Sequence, residues 1–300
     1  MAAPSSFRAA ESGLPMARRA LLGLLDSGRR DVAVVGASGV LVLVILLATL
    51  GRLAWTINPD AINLGVSLKG PSFQHPMGTD GLGRDVFARF NEGAGISLAV
   101  AGLVTLVGAC IGGAIGLAGS ASGGWADAAL MRVMDAILAF PPLILAMTVT
   151  IGLGAGLATA GLGIMLTSIP WYARLVRSEV IRVRGLPFIE ATVALGATRR
   201  RVVLRHILPN IAGTFANQTA AAFGYSILAL AALSYVGLGA QVPTPEWGAM
   251  ITDGQQYLLT GQWWISFFPG IGLLAVATAA GVLADRTRDI LDPRGADVSG

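Results

Sequence analysis

The chain has one cysteine, one lysine, two histidines and few charges of either sign, and each scarcity removes a class of structure or chemistry. A lone Cys110 cannot close an intrachain disulfide; set among glycines and alanines, it reads as a small packing residue. His75 and His206 are far apart in sequence and fall on opposite sides of the membrane in the topology below, which argues against a metal site built from them. The only lysine, Lys69, follows Leu68, so the Gly-Lys-[Ser/Thr] core of a phosphate-cradling loop is missing and ATP is not bound by that route. Charged residues make up 13% of the chain, against about 25% for a soluble domain. With 54% hydrophobic residues and a mean hydropathy of +0.69, the balance points to a membrane protein.

What is abundant is the long charge-free run. A spanning helix needs about 20 mainly apolar residues. Such runs occupy Val32 to Gly51, Gly93 to Ala126, Ala136 to Ala173, Ile207 to Pro245 and Gly254 to Ala284. The third is too long for one helix, and Gly152, Gly154 and Gly156 supply a turn that divides it, giving six spans. The first run is longer than a signal-peptide core and no small-residue cleavage site follows it before Arg52, so it reads as an uncleaved span. Pro15 to Leu25 ahead of it reads as either a short interfacial helix or a solvated tail.

Orientation follows from the basic residues. With the N-terminus inside, 17 of the 21 fall on inner segments, from Arg8 to Arg294, and only Arg52, Lys69, Arg84 and Arg89 lie outside. The positive-inside rule selects this topology over its inverse. The net charge of +4 therefore reflects topology and contact with anionic headgroups. No aromatic-interleaved basic face indicates nucleic acid.

No Asp, Glu, Lys or Arg lies within a predicted span. A stand-alone secondary carrier or channel, the alternative function, would be expected to hold an intramembrane charge or a broken-helix ion site. A membrane-embedded enzyme would need a titratable base beside a nucleophile, and the spans offer hydroxyls without one. Asn217 and Gln218 in the fifth span are the main polar exceptions, suited to interhelical hydrogen bonds or to a translocation path. Gly108, Gly112 and Gly116 form a small-xxx-small stripe, read as an intrachain packing seam in preference to a dimer contact. Ser122 to Asp135 reads as a short inside turn, and Phe140-Pro141-Pro142 as the start of the third span.

Two loops carry the remaining information. The outer segment 56–92, with Asp80, Arg84 and Asp85, reads as an ordered connector or as a lid or docking surface. Inside, Arg174 to Pro209 holds a helical stretch after Pro187 that ends at Gly196, as a C-cap glycine would end it. Thr198 then caps a second helix expected to stop at Pro209. Phe188, Ala191, Thr192 and Leu195 share one face of the first helix.

Glu190-Ala191-Thr192, Gly196 and Leu208-Pro209 resemble the EAA loop of ABC importer permeases. Thr192 stands where the second alanine is usual, and His206 where isoleucine is frequent. His75 to Arg84 resembles the outer segment of dipeptide and oligopeptide permeases of the C type. Ala232 to Gln241, Pro243 to Gly248 and Arg288 to Arg294 resemble the same branch, with Ala284-Asp285-Arg286 in place of its usual Gly-Asp-Gly. The resemblance implies an all-α polytopic fold of six transmembrane helices, that of a type I ABC importer permease. It divides the chain into an inner segment 1–31, a first span 32–55, the outer loop 56–92, a transmembrane domain 93–286 with its coupling loop 174–209, and an inner tail 287–300. It also implies half of a pathway for peptides or related cargo such as glutathione, in a bacterial cytoplasmic membrane with both termini inside. The implied partners are a B-type permease, two cytoplasmic ATPases that would hold ATP and magnesium, and an extracytoplasmic binding protein; the chain itself is non-catalytic and carries no cofactor. Glu190, Ala191, Thr192, Gly196, Leu208 and Pro209 are the implied ATPase contacts, and Asp80, Arg84, Asp85, Glu246 and Trp247 candidates for an outer gate or binding-protein surface.

Overall fold

With no water in the bilayer core to satisfy backbone N–H and C=O groups, a charge-free run must close its hydrogen bonds internally, and helix is the way one chain does so. The computed structural model describes residues 16–291. Arg8 and Arg294 lie outside the described residues, as do the ends of the expected segments 1–31 and 287–300. The helices are α1 (Met16–Ala54), α2 (Val86–Ser122), α3 (Gly124–Leu138), α4 (Pro142–Leu153), α5 (Leu157–Arg184), α6 (Pro187–Ala194), α7 (Arg199–Val202), α8 (Leu208–Tyr235), α9 (Trp247–Gln255) and α10 (Trp264–Leu291). Among the described residues the only β pairing is one isolated bridge between Thr79 and Asp85.

By length and composition, Val32–Gly51 of α1, Val86–Ala121 of α2 and Trp264–Asp285 of α10 can each cross a membrane, and α3 with α4 passes as one span bent by 88°. α5 and α8 have 28 residues each, about 42 Å at 1.5 Å per residue, which exceeds a hydrocarbon core of about 30 Å. α5 carries Arg174, Arg177, Glu179, Arg182 and Arg184 toward its C-terminal end, and α8 carries Asn217, Gln218, Tyr225 and Tyr235 along its length. Of the six expected spans, three and, with the bent pair, up to four pass on length and composition among the described residues, and α5 and α8 are the helices left for the other two.

Three expectations change. Ser122 to Asp135 is not a turn: α3 covers Gly124–Leu138 and buries Asp127, Met131 and Met134, whose i, i+4, i+7 spacing is one helix face. Pro141 and Pro142 open α4 as expected, with Pro142 at its first turn, yet they also form the corner where α4 leaves α3. The short helix considered over Pro15 to Leu25 is, from Met16 on, continuous with the first span.

Helices in lipid gain nothing from apolar burial alone and associate through close packing. The α2–α5 pair is built that way. A Cβ on Gly116 would lie 2.5 Å from the Ala173 carbonyl oxygen, and one on Gly112 would lie 2.6 Å from the Tyr172 Cβ. The glycine stripe is therefore an intrachain seam that lets two backbones touch. Trp247, Phe90, Trp264 and Ile265 centre the core at the end that the expected topology places outside, the opposite end being called inner. Val176, Val180 and Val183 of α5 gather Ile189, Val202, Ile207 and Ile211 at the inner end.

Candidate coupling loop and translocation face

The inner loop hangs directly from α5, whose last turn ends at Gly185. Pro187 sits in the first turn of α6, where its missing N–H is no loss. Glu190 lies in the same turn, favourably placed against the positive helix end. The far end closes as a Schellman motif. Gly196 N–H donates to the Val193 carbonyl at 2.9 Å and Ala197 N–H to the Thr192 carbonyl at 3.2 Å. Gly196 takes φ +84°, which glycine tolerates without strain. Thr198 then caps α7, its hydroxyl accepting from Arg201 N–H.

Pro209 does not stop the helix as expected. A π-helical turn over Val203–Ile207 joins α7 to α8, with Leu208 N–H reaching back five residues to Val203. Pro209 falls in the first turn of α8. Pro209 has no N–H to donate to the preceding turn, and the π turn lies immediately before the turn it occupies. The second half of the inner loop therefore runs into α8 as unbroken helical backbone.

α6 is held by little. Ile189 is its buried residue, in the cluster with Val183 and Ile207. Phe188 sets its ring edge against His206 at 6.2 Å, and the Thr192 hydroxyl donates to the Phe188 carbonyl at 2.7 Å. Glu190, Ala191, Val193 and Ala194 are exposed, and Leu195 is 89% exposed. Leu208 is half-buried and Pro209 exposed. Such a run of exposed apolar side chains marks a surface that contacts another protein or a membrane.

α8 carries a second unpaired face. Thr214, Gln218, Ala221, Tyr225, Leu228, Ala232 and Tyr235 recur at three- and four-residue steps with Asn217 beside Gln218, and all are exposed or half-buried. Asn217 and Gln218 thus lie on one stripe with two tyrosines that sequence reading passed over. Tyr235 donates to the Gln255 Oε1 of α9 at 2.5 Å. A cleft of about 320 Å³ between α4, α8 and α9, lined by Met147, Ala232, Tyr235 and Ile251, opens beside its outer end. Amide and phenol groups turned toward hydrocarbon would lack partners, so this face suits water or another subunit.

The outer residues are turned inward. Asp80 Oδ1 accepts the Leu82 and Arg84 N–H groups at 2.9 Å, and its Oδ2 accepts Arg84 Nε at 2.6 Å. Asp85 caps α2 through Ala88 N–H at 2.7 Å and meets His75 Nδ1 at 2.7 Å. Glu246 accepts the Ser97 hydroxyl at 3.0 Å and caps α9 through Ala249 N–H. Trp247 donates to the Phe90 carbonyl and stacks on its ring. Asp80, Arg84, Asp85, Glu246 and Trp247 are all buried, so they shape the outer cap and present no surface of their own. Arg89, missed in the sequence because its partners are distant, bonds Asp60 and the Pro243 carbonyl and ties the outer loop to the segment before α9. Burial pushes the Asp253 carboxyl above its ordinary range, while Arg84 and Arg89 draw it back.

Residues 108–296 match the family described as "Binding-protein-dependent transport system inner membrane component". The chain is 37% identical over 260 residues to the probable D,D-dipeptide transport system permease protein DdpC of Escherichia coli strain K12, covering 87% of each. It is 38% identical over 267 residues to the dipeptide transport system permease protein DppC of Alkalihalophilus pseudofirmus, covering 89% of this chain and 87% of that protein. Identity to the glutathione transport system permease protein GsiD of Escherichia coli O157:H7 is 37% over 269 residues, or 89% and 88% of the two chains. A solved structure described as inward-facing conformations of the MetNI methionine ABC transporter superposes with a TM-score of 0.50 at 20% identity, over 65% of this chain and 94% of that one, a likeness of fold. The chain is a multi-pass inner-membrane permease component of a binding-protein-dependent ABC importer, a family that works with ATPase and substrate-binding partners.

Proposed function

We propose that this chain is the C-type half of a heterodimeric permease that imports peptides or peptide-like cargo, with both termini in the cytoplasm. α6 seats in a groove on a partner ATPase, Glu190 and the exposed apolar residues making the contact and Gly196 setting the angle at which the loop returns to α8. The α8 face from Thr214 to Tyr235 lines half of the path, and a B-type permease supplies the other half. Closure of the ATPases then biases the permease between inward- and outward-open states.

The observation that carries this reading is the exposure of Phe188, Val193 and Leu195 on a helix anchored by Ile189. A helix that lays its apolar face into a partner's groove would use such a face. The peptide cargo rests on the names of the relatives, described as permease proteins of a probable D,D-dipeptide, a dipeptide and a glutathione transport system. Leu195→Cys in a Cys110→Ser background, treated with a short bifunctional thiol reagent, should join the permease to a cysteine-bearing ATPase. Failure to join under any nucleotide condition would refute the contact.

A further inference from the structure

The bent span has a connection to the coupling loop that the proposed function does not use. α3 lies against α5 through Met131 and Met134 on Ile169 and Ala173. At one end of that seam, Arg177 grips both carboxylate oxygens of Asp127, its Nε at 2.7 Å from Oδ1 and its Nη2 at 2.6 Å from Oδ2. Asp127 is 9% exposed. Glycine at 119 leaves room for the carboxylate, since a Cβ there would lie 2.8 Å from Oδ1. A second pair, Arg174 with Asp135 at 3.7 Å, is open to solvent. Farther along α5, Arg184 donates to the Ser120 carbonyl at the end of α2. α6 begins three residues after Arg184.

A bidentate fork fixes angle as well as distance, so it can transmit rotation where a methionine seam can slide. α5 is the one helix that both meets this fork and leads into α6. α3 in turn leads through Pro141 and Pro142 into α4, 88° away. We infer that the Asp127–Arg177 pair is the positioning link that makes the inner arm of the bent span follow the coupling loop, so that displacement of α6 re-aims α3 and α4 together. The inference rests on the proposed docking of α6. Asp135–Arg174 contributes little by comparison, because an exposed pair at that distance is weak.

The test uses the assembled importer, permease with its partner subunits and ATPases, in lipid nanodiscs. Spin labels on Ala129→Cys of α3 and Ala99→Cys of α2, in a Cys110→Ser background, report one distance by pulsed electron resonance, with and without ATP and vanadate. ATPase retention is measured on the same samples. The wild-type pair should shift its distance on nucleotide trapping. Asp127→Asn should keep the ATPase bound and hydrolysing while the shifted population falls about tenfold, the size of an ordinary intersite coupling. Exchanging the pair, Asp127→Arg with Arg177→Asp, should restore the shift, which a merely structural loss would not allow. Arg177→Lys keeps the charge without the fork and stays informative if Asp127→Asn does not fold; it should lower the shifted population about threefold. A full shift in Asp127→Asn or in Arg177→Lys would overturn the link. No shift in wild type with the ATPase bound would overturn it too. Loss of the ATPase from wild type would instead refute the docking of α6, and this inference with it.

Discussion

Asp80 and Arg84 are joined twice over one turn of chain: the Asp80 carboxylate accepts the Arg84 backbone N–H at 2.9 Å with one oxygen and its Nε at 2.6 Å with the other. Both side chains are 6% exposed. The backbone bond sets the turn at Gly81 to Gly83, and the side-chain bond neutralises a cation held out of water beside Arg89.

Asp253 still faces Arg84 at 3.5 Å, so loss of the Asp80 charge weakens the pairing of the buried cation without stranding it, at a cost of about 2 kcal/mol. Asp80→Asn is therefore expected to lower the thermal unfolding midpoint of the detergent-solubilised permease clearly, while ATPase binding to the folded fraction persists. An unchanged midpoint would mean that the outer loop is not held by this pair.

Asp253 should behave in the opposite sense. Burial raises its carboxyl above the ordinary 3.8, with Arg84 and Arg89 opposing. A carboxyl raised by folding binds its proton more tightly in the folded chain, so its charged form costs stability at neutral pH, and the cost fades as pH falls through the raised value. Asp253→Asn should be at least as stable as wild type at pH 7. Wild type should gain on the variant between neutral pH and about pH 4. A variant less stable at pH 7, with a gap independent of pH, would contradict this.

Small residues at the α2–α5 seam predict a contrast between glycines. Gly112→Val drives a side chain into the backbone of α5 and should cost about 2 kcal/mol or more, visible as lost monodisperse material on size-exclusion chromatography. Gly36 and Gly39 of α1 have nothing within 4 Å of a built Cβ, and Gly36→Val should be tolerated. Equal behaviour of the two variants would argue against the seam.

The two sides of α6 should separate stability from coupling. Ile189→Ala removes the anchor and should destabilise the inner loop by about 2–3 kcal/mol. Leu195→Asp changes a side chain 89% exposed and should shift stability by less than about 0.5 kcal/mol while weakening ATPase retention. Limited proteolysis of the loop and co-purification of the ATPase read the two effects independently.

How much of this was legible beforehand differs from element to element. The long spans were, because charge-free length is a property of sequence alone. The Schellman end at Gly196 was too, because its signal is local. α3 was not: Gly123, Gly124, Asp127 and Asp135 look like a turn, and only the partner Arg177, fifty residues on, makes a buried Asp127 acceptable. Pro209 misled because a π turn joins α7 to α8 just before it, and nothing local announces that. Asp80, Arg84 and Asp85 stand out by residue type and spacing, but their burial does not, because it depends on contacts with Trp264 and Asp253 made across the whole chain. The tyrosines of the α8 stripe escaped notice because a tyrosine in an apolar run reads as core until the face it occupies is seen to be open.

The most direct measurement is retention of the partner ATPase on affinity-purified permease carrying Glu190→Lys or Gly196→Pro, read beside ATP-dependent peptide uptake in proteoliposomes. Proline cannot adopt the φ of +84° at position 196, and lysine reverses the charge at the start of α6. Both variants should remain folded by size exclusion, lose the ATPase, and take up peptide no faster than liposomes without nucleotide. Normal ATPase retention together with normal ATP-driven uptake in either variant would contradict the assignment of α6 as the lever between the ATPase and the path.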